Sequence, residues 1–237
     1  MQAVKQFLKS FTWVDWLVWS SSVLAVVLAF VLCHSHDYLQ LSASLIGACM
    51  LILIAKGNVI GQFLSVIFAV FYGIISYFFA YYGELITYLG MTAPMAVASI
   101  ISWLRHPFEG KKTEVTVNKL RLREYPILIA ISIIVSVAFY FILDALNTQN
   151  VIWSTVSVLT SCLAVLLSIR RSPHYALAYA LNDLVLIVLW VLAATENVEY
   201  ISMVVCFAMF FLNDLYGLYS WLKMHKRQSQ TRAEKTE

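Results

Sequence analysis

Tyr175 to Trp190 (YALAYALNDLVLIVLW) and Cys206 to Trp221 (CFAMFFLNDLYGLYSW) are the stretches on which the reading of this chain turns. Each sits in an apolar run long enough to cross a bilayer, and each carries an Asn-Asp pair in its interior, Asn182-Asp183 and Asn213-Asp214. A carboxylate at the centre of a membrane helix costs about 2.5 to 3.5 kcal/mol on insertion scales, so its default reading is functional.

Outward from these runs the composition is of one kind. Hydrophobic residues make up 61% of the 237, charged residues 12%, and the mean hydropathy is +0.79. Soluble domains carry about 25% charged residues, so the chain reads as an all-α polytopic membrane protein. At about 20 apolar residues per crossing, eight spans are predicted, at residues 15–33, 38–55, 59–82, 85–104, 125–146, 151–169, 174–194 and 198–222. Lys5 and Lys9 precede the first run as they would in a signal peptide. That run lacks an A-x-A-like cleavage site and ends in Cys33-His34-Ser35-His36, which favours a retained helix.

The loops set the orientation. With the N-terminus in the cytoplasm, the inner segments hold Lys5, Lys9, Lys56, the cluster from Arg105 to Arg123, Arg170-Arg171 and the tail from Lys223 to Lys235, which is all 16 Lys and Arg. The outer loops HSHD, YYGE, DALNTQN and ATENVE carry none, so both termini are expected in the cytoplasm. The net charge of +3 is thus placed for topology rather than for an acidic partner. Segment 106–124 reads as a solvated basic connector, with contact to anionic lipid as the alternative. The tail after Lys223 reads as disordered.

A shift of 118 residues places Ser102-Trp103-Leu104-Arg105 on Ser220-Trp221-Leu222-Lys223, Tyr72 on Trp190 and Ser99 on Gly217. Spans two to four then repeat as spans six to eight, with span five as the linker that lets both halves keep one orientation. The expected organisation is an N-terminal region with an extra helix (1–37), a first three-helix repeat (38–105), a basic loop (106–124), a linker helix (125–150), a second repeat (151–224) and a tail (225–237).

On span seven, Tyr179, Asn182, Leu186 and Trp190 share one helical stripe, with Tyr175 above and Asp183 beside it; on span eight Phe210, Asn213, Tyr216-Gly217 and Ser220 do the same, with Asp214 adjacent. Amides fix the hydrogen-bonding edge of a ligand, and aromatic faces stack on a planar ring or attract a cation. A lone asparagine at such depth reads as glue between helices; two Asn-Asp pairs flanked by Tyr and Trp read as a ligand site. Adjacent helical residues point about 100° apart, which leaves an aspartate available to brace a packing contact instead. Asn182 and Asn213 are expected to approach one another between spans seven and eight, with Trp190 walling the same cavity about two turns further out. The first repeat is less polar. Gln62, Ser65, Ala69, Tyr72 and Ser76 form a stripe on span three, and Thr92, Met95, Ser99 and Ser102 one on span four. Gln62, Tyr72 and Ser99 join the candidate site, and Pro94 is expected to kink span four.

Other chemistries find no support. Cys33, Cys49, Cys162 and Cys206 sit inside spans without a C-x-x-C spacing, and His34-x-His36-Asp37 reads as a solvated loop before a metal ligand, so neither metal nor cofactor is expected. No lysine lies inside a span, which removes a retinal Schiff base, and no Gly-rich phosphate cradle is present. An intramembrane aspartyl protease also sets two aspartates on two helices, but both contexts here read Leu-Asn-Asp-Leu rather than Tyr-Asp and Gly-x-Gly-Asp.

The runs YALAYALNDLVLIVLW and FFLNDLYGLYSW, together with GNVIGQFLSVIFAVFYG on span three, resemble the signature segments of bacterial PnuC-type nicotinamide riboside transporters. The resemblance covers essentially the whole chain. It implies a parallel three-plus-one-plus-three arrangement similar to that of the SWEET sugar transporters and residence in a bacterial inner membrane. It further implies facilitated diffusion of nicotinamide riboside, trapping of the substrate by a cytoplasmic kinase, and a homotrimer. Related members carry other vitamins, so a transporter of the thiamine or riboflavin type is the alternative.

Overall fold

The structure, a computed structural model, describes residues 11–33, 38–78 and 85–235. Eight long helices follow one another: α1 (Trp13–Leu32), α2 (Tyr38–Ala55), α3 (Val59–Phe78), α4 (Thr87–Arg105), α5 (Glu124–Ala145), α6 (Val151–Ile169), α7 (Tyr175–Ala194) and α8 (Ile201–Glu234). Each corresponds to one predicted span. Seven are long and apolar enough to cross a membrane, and the 20-residue α3 completes the bundle. Lys5, Lys9 and the His34-x-His36-Asp37 loop lie outside the described residues.

Within each half, consecutive helices pack together: α2 on α3 and α3 on α4, then α6 on α7 and α7 on α8. The halves meet through α4 against α6 and α8 against α2, so six helices close a ring. Helix α1 lies outside it on α2 and α8, while α5 rests on α6. Much of the surface of α5 is apolar and open, with Ile134 69% and Phe141 65% exposed, as suits a helix with lipid for a neighbour.

Four hydrogen bonds tie the halves crosswise. From α4, Ser102 Oγ donates to Ile169 O (2.6 Å) and Trp103 Nε1 to Ser168 O (3.0 Å) at the end of α6. From α8, Ser220 Oγ donates to Ala55 O (2.7 Å) and Trp221 Nε1 to Ile54 O (2.8 Å) at the end of α2. The two indoles meet with centroids 5.3 Å apart, both buried. The Ser-Trp pairs are 118 residues apart, as expected, but the carbonyls they reach are 114 apart. A single shift therefore does not hold throughout. The second half carries four more residues between those points.

The ends of α2 and α6 follow the 114-residue register. Asn58 N–H bonds Leu53 O and Ser172 N–H bonds Leu167 O, each 3.0 Å, in the turn that closes a helix through one left-handed residue. That residue is Gly57 (φ 67°) in the first half and Arg171 (φ 58°) in the second. Asn58 Oδ1 then accepts from Ile60 N–H, and Ser172 Oγ from His174 N–H, which turns the chain into α3 and α7.

Two expectations need correction. Segment 106–124 is not a solvated connector: Pro107–Phe108 (β1) and Lys111–Val115 (β2) pair antiparallel, and Val115, Val117 and Leu120 are buried against Trp103, Trp221 and Met224. The tail is not disordered, because α8 continues to Glu234. Gln228 holds it there, accepting from Val117 N–H (2.8 Å) and donating to Val115 O (3.0 Å). The hairpin hides its valines under the helix, and the helix gains a backbone edge to bond.

Candidate functional site

All six ring helices line one cavity. Helix α7 contributes Tyr175, Tyr179, Asn182, Asp183, Leu186 and Leu189, and α8 contributes Phe207, Phe210 and Asp214. These spacings of three, four and seven residues put one face of each helix inward. Opposite them stand Ser65, Phe68 and Tyr72 of α3 and Met50, Leu51 and Ile54 of α2. Helix α6 adds the hydroxyl row Ser154, Ser157 and Ser161. Helix α4 adds Thr87, Tyr88 and Thr92 from a π-helical stretch, Thr87–Thr92, just before Pro94. Proline lacks the N–H for the carbonyl four residues back and crowds it; widening the preceding turn relieves both, and Ala93 N–H accordingly bonds Tyr88 O, five residues back. A kink is expected at Pro94; what stands there is this π-helical widening.

The wall has three chemical parts. Tyr72 and Tyr88 meet at 4.5 Å between centroids, and Phe68 joins them to Phe210 at 6.3 Å and thence to Phe207, 5.6 Å on, making an aromatic side. Gly47 of α2 makes room for this side, since a Cβ there would lie 2.3 Å from Phe210 Cζ. Facing it, the carboxyl groups of Asp183 and Asp214 lie against one another across the α7–α8 contact, and Asp183 Oδ2 is sealed from solvent without a hydrogen-bond partner. Beside them Asn182 Oδ1 accepts from Ser157 Oγ (3.0 Å) and Thr160 Oγ1 (2.9 Å). Those bonds orient the amide, whose Nδ2 makes no hydrogen bond to the described residues and is available to a ligand. No Lys or Arg lines the cavity among the described residues.

Of the residues singled out from the sequence, Tyr72, Tyr179, Asn182, Asp183, Phe210 and Asp214 converge here. Five do not. Asn213 is one position from Asp214 and so about 100° round the helix, where its Nδ2 donates to Ser22 Oγ of α1 (2.7 Å) and Met209 O (2.7 Å). It therefore does not approach Asn182. Tyr216 faces α1 as well and donates to Asp15 Oδ1. Gln62 shares the stripe of Ser65 but lies a turn beyond the cavity, donating to Ser168 Oγ (3.1 Å). Ser99 is fully buried in packing away from the cavity. Trp190 follows Leu186 by one turn and leaves the wall to pack on Tyr200 at 5.5 Å.

Sequence reasoning missed the α6 serines, although hydroxyls at 154, 157 and 161 make a helical stripe in an apolar span. It also missed a third buried carboxylate, Asp15. That residue closes a capping box with Thr12 at the start of α1, pairs with Lys56 at 2.8 Å and accepts the Tyr216 hydroxyl, fastening α1 to α2 and α8 away from the cavity.

A polar and aromatic cavity enclosed between two like-oriented three-helix units is the arrangement of a secondary transporter, and the comparisons with known proteins place the chain within that class. The family described as nicotinamide mononucleotide transporter matches residues 37–223, and the chain belongs to this family, a family of transporters rather than enzymes. Among relatives, the nicotinamide riboside transporter PnuC of Neisseria mucosa is 26% identical over 219 residues, covering 90% of this chain and 82% of the relative. The protein of the same name from Haemophilus influenzae is 23% identical over 193 residues, covering 81% and 82%. The crystal structure of the vitamin B3 transporter PnuC superposes with a TM-score of 0.81 at 23% identity, covering 94% of this chain and 97% of that one, a likeness of fold.

Proposed function

We propose that this chain carries nicotinamide riboside across the membrane. The observation that supports this most is the charge of the cavity wall, with two carboxyl groups, an amide and an aromatic side but no cationic residue among the described residues. Nicotinamide riboside is a flat pyridinium cation with a carboxamide and a ribose. The carboxyl pair suits its charge, the Tyr72, Tyr88 and Phe210 faces its ring, and Asn182 with the α6 serines its carboxamide and hydroxyls. The mononucleotide adds a phosphate, which calls for Arg or Lys and would meet Asp183 and Asp214 instead. Thiamine is the second reading, because its thiazolium ring is also a cation; riboflavin is neutral and leaves the carboxyl pair unused.

Transport is by facilitated diffusion in a bacterial inner membrane, with both termini cytoplasmic, and phosphorylation by a cytoplasmic kinase makes uptake directional. Each protomer of a homotrimer has its own pathway. Uptake into proteoliposomes without ATP or ion gradient tests the reading, with labelled nicotinamide riboside competed by nicotinamide mononucleotide, thiamine and riboflavin. Nicotinamide riboside is expected to enter and the mononucleotide to compete poorly. Competition by the mononucleotide at equal potency, or no uptake of the riboside by folded protein, overturns the assignment, and cross-linking that finds only monomers in lipid overturns the trimer.

A further inference from the structure

Arg171 stands in three circumstances that are each unfavourable to an arginine. It occupies the left-handed position at the end of α6 (φ 58°), where the matching turn of the first half uses Gly57; side chains with a Cβ are disfavoured there, and such outliers gather at functional sites. Its guanidinium Nε and Nη1 are cut off from solvent and have no hydrogen-bond partner among the described residues, while the residue as a whole is half-buried and so borders the surface. Among the described residues, the charged groups that act on it are cations, Arg170 and Arg232.

Three carboxylates at this end of the bundle are engaged by other cations, Glu124 by Arg170, Glu114 by Arg227 and Glu109 by Lys235. Burial, and then the charges of Arg170 and Arg232, push the Arg171 pKa down, yet a guanidinium keeps its proton in proteins. The position is fixed from two sides. Asn118 N–H donates to Arg171 O (3.0 Å) and Asn118 Nδ2 to Arg170 O (3.2 Å), so the segment after β2 is pinned to this turn. The extension of α8 brings Arg232 from one turn beyond Gln228, which is itself bonded to Val115 and Val117.

We propose that Arg171, with Arg170 and Arg232, forms a binding site for a phosphate oxyanion at the basic end of the bundle. The planar fork of a guanidinium matches two oxygens of a phosphate, and an anion there fills the empty donors of Arg171. A left-handed arginine is then retained because glycine supplies the turn without the charge. The phosphate belongs either to the headgroup of an anionic lipid, which a basic bundle end at a membrane surface meets, or to a soluble phosphate.

The test uses the full-length protein in phosphatidylcholine nanodiscs, its melting temperature read with and without phosphatidylglycerol in the bilayer and, separately, with inorganic phosphate in the buffer. Arg171→Gly and Arg171→Asn both suit a left-handed position. With neither probe present, both variants are expected to melt at or above the wild type, since they shed strain and an unpaired charge. Phosphatidylglycerol or phosphate is expected to raise the wild type by a few degrees and to leave both variants unmoved. A gain from phosphatidylglycerol alone assigns the site to a headgroup, and a gain from phosphate assigns it to a soluble ion. The proposal is overturned if neither probe stabilises the wild type, if the variants gain as much as the wild type, or if both variants melt below it with no probe present.

Discussion

Asn182 and Asn213 look alike in sequence, each preceding an aspartate between two leucines, but the structure gives them different work, and their leucine variants separate it. In Asn182→Leu the hydroxyl of Thr160 keeps the carbonyls of Val156 and Ser157 as acceptors. The folding cost is therefore about that of one interhelical bond in a membrane, ~0.6 kcal/mol. The ligand loses more. The only amide on the cavity wall among the described residues goes, and a buried ligand group left unpaired costs about 1 to 3 kcal/mol, or roughly a five- to 150-fold rise in Kd. In Asn213→Leu the bond to α1 is lost, but Ser22 Oγ still donates to Val18 O, and an Asn213 Oδ1 that is buried without a partner disappears as well. The two nearly cancel, so stability changes by under about 1 kcal/mol and binding does not change. Melting temperature and nicotinamide riboside affinity are measured for both purified variants. A folded Asn182→Leu protein with wild-type affinity, or an Asn213→Leu protein that loses about tenfold in binding at unchanged melting temperature, refutes the assignment of these faces.

Three more outcomes are expected. Gly47→Ala puts a methyl group against Phe210 Cζ, so the ring is driven into the cavity; overpacking of about 1 to 3 kcal/mol raises the KM for uptake about tenfold or more, and unchanged kinetics would show that Phe210 does not form the wall. Leu122, 87% exposed in the basic segment, replaced by cysteine in a background free of Cys33, Cys49, Cys162 and Cys206, stays unlabelled by an impermeant maleimide on intact cells and labels after lysis; labelling without lysis reverses the topology. Proteoliposomes lacking a kinase equilibrate nicotinamide riboside and stop, because no histidine or lysine among the described residues lines the cavity to relay a proton past the two carboxyl groups; accumulation driven by a proton or sodium gradient contradicts this.

The eight helices were legible because each is an apolar run bounded by turn-forming or charged residues, and lipid enforces that pattern strictly. The pairing of the halves was legible in Ser102-Trp103 and Ser220-Trp221, where side chains rather than apolar bulk carry the match. The facing of individual residues was less so. Asn213 and Tyr216 turn away from the cavity because α1 lies on that side of α8, and hydropathy says nothing of where a helix outside the repeat will rest. Tail and hairpin were misread for a related reason. Val115-Thr116-Val117 alternates as a strand should, but the basic residues around it outweigh the signal until Gln228, over 100 residues later in the chain, supplies the cover.

The crosswise hydrogen bonds also bear on biosynthesis. When α4 has been made, Trp103 has no acceptor until the end of α6 follows it. The carbonyl of Ala55, finished early, waits for Ser220, almost the last of the membrane residues of the chain. The first half thus emerges with three polar groups, the Ser102 hydroxyl, the Trp103 indole and the Ala55 carbonyl, whose partners lie in the second half, and a chain stalled before Ser220 leaves the last of them unmet. Completion of α8 is the step that closes the ring.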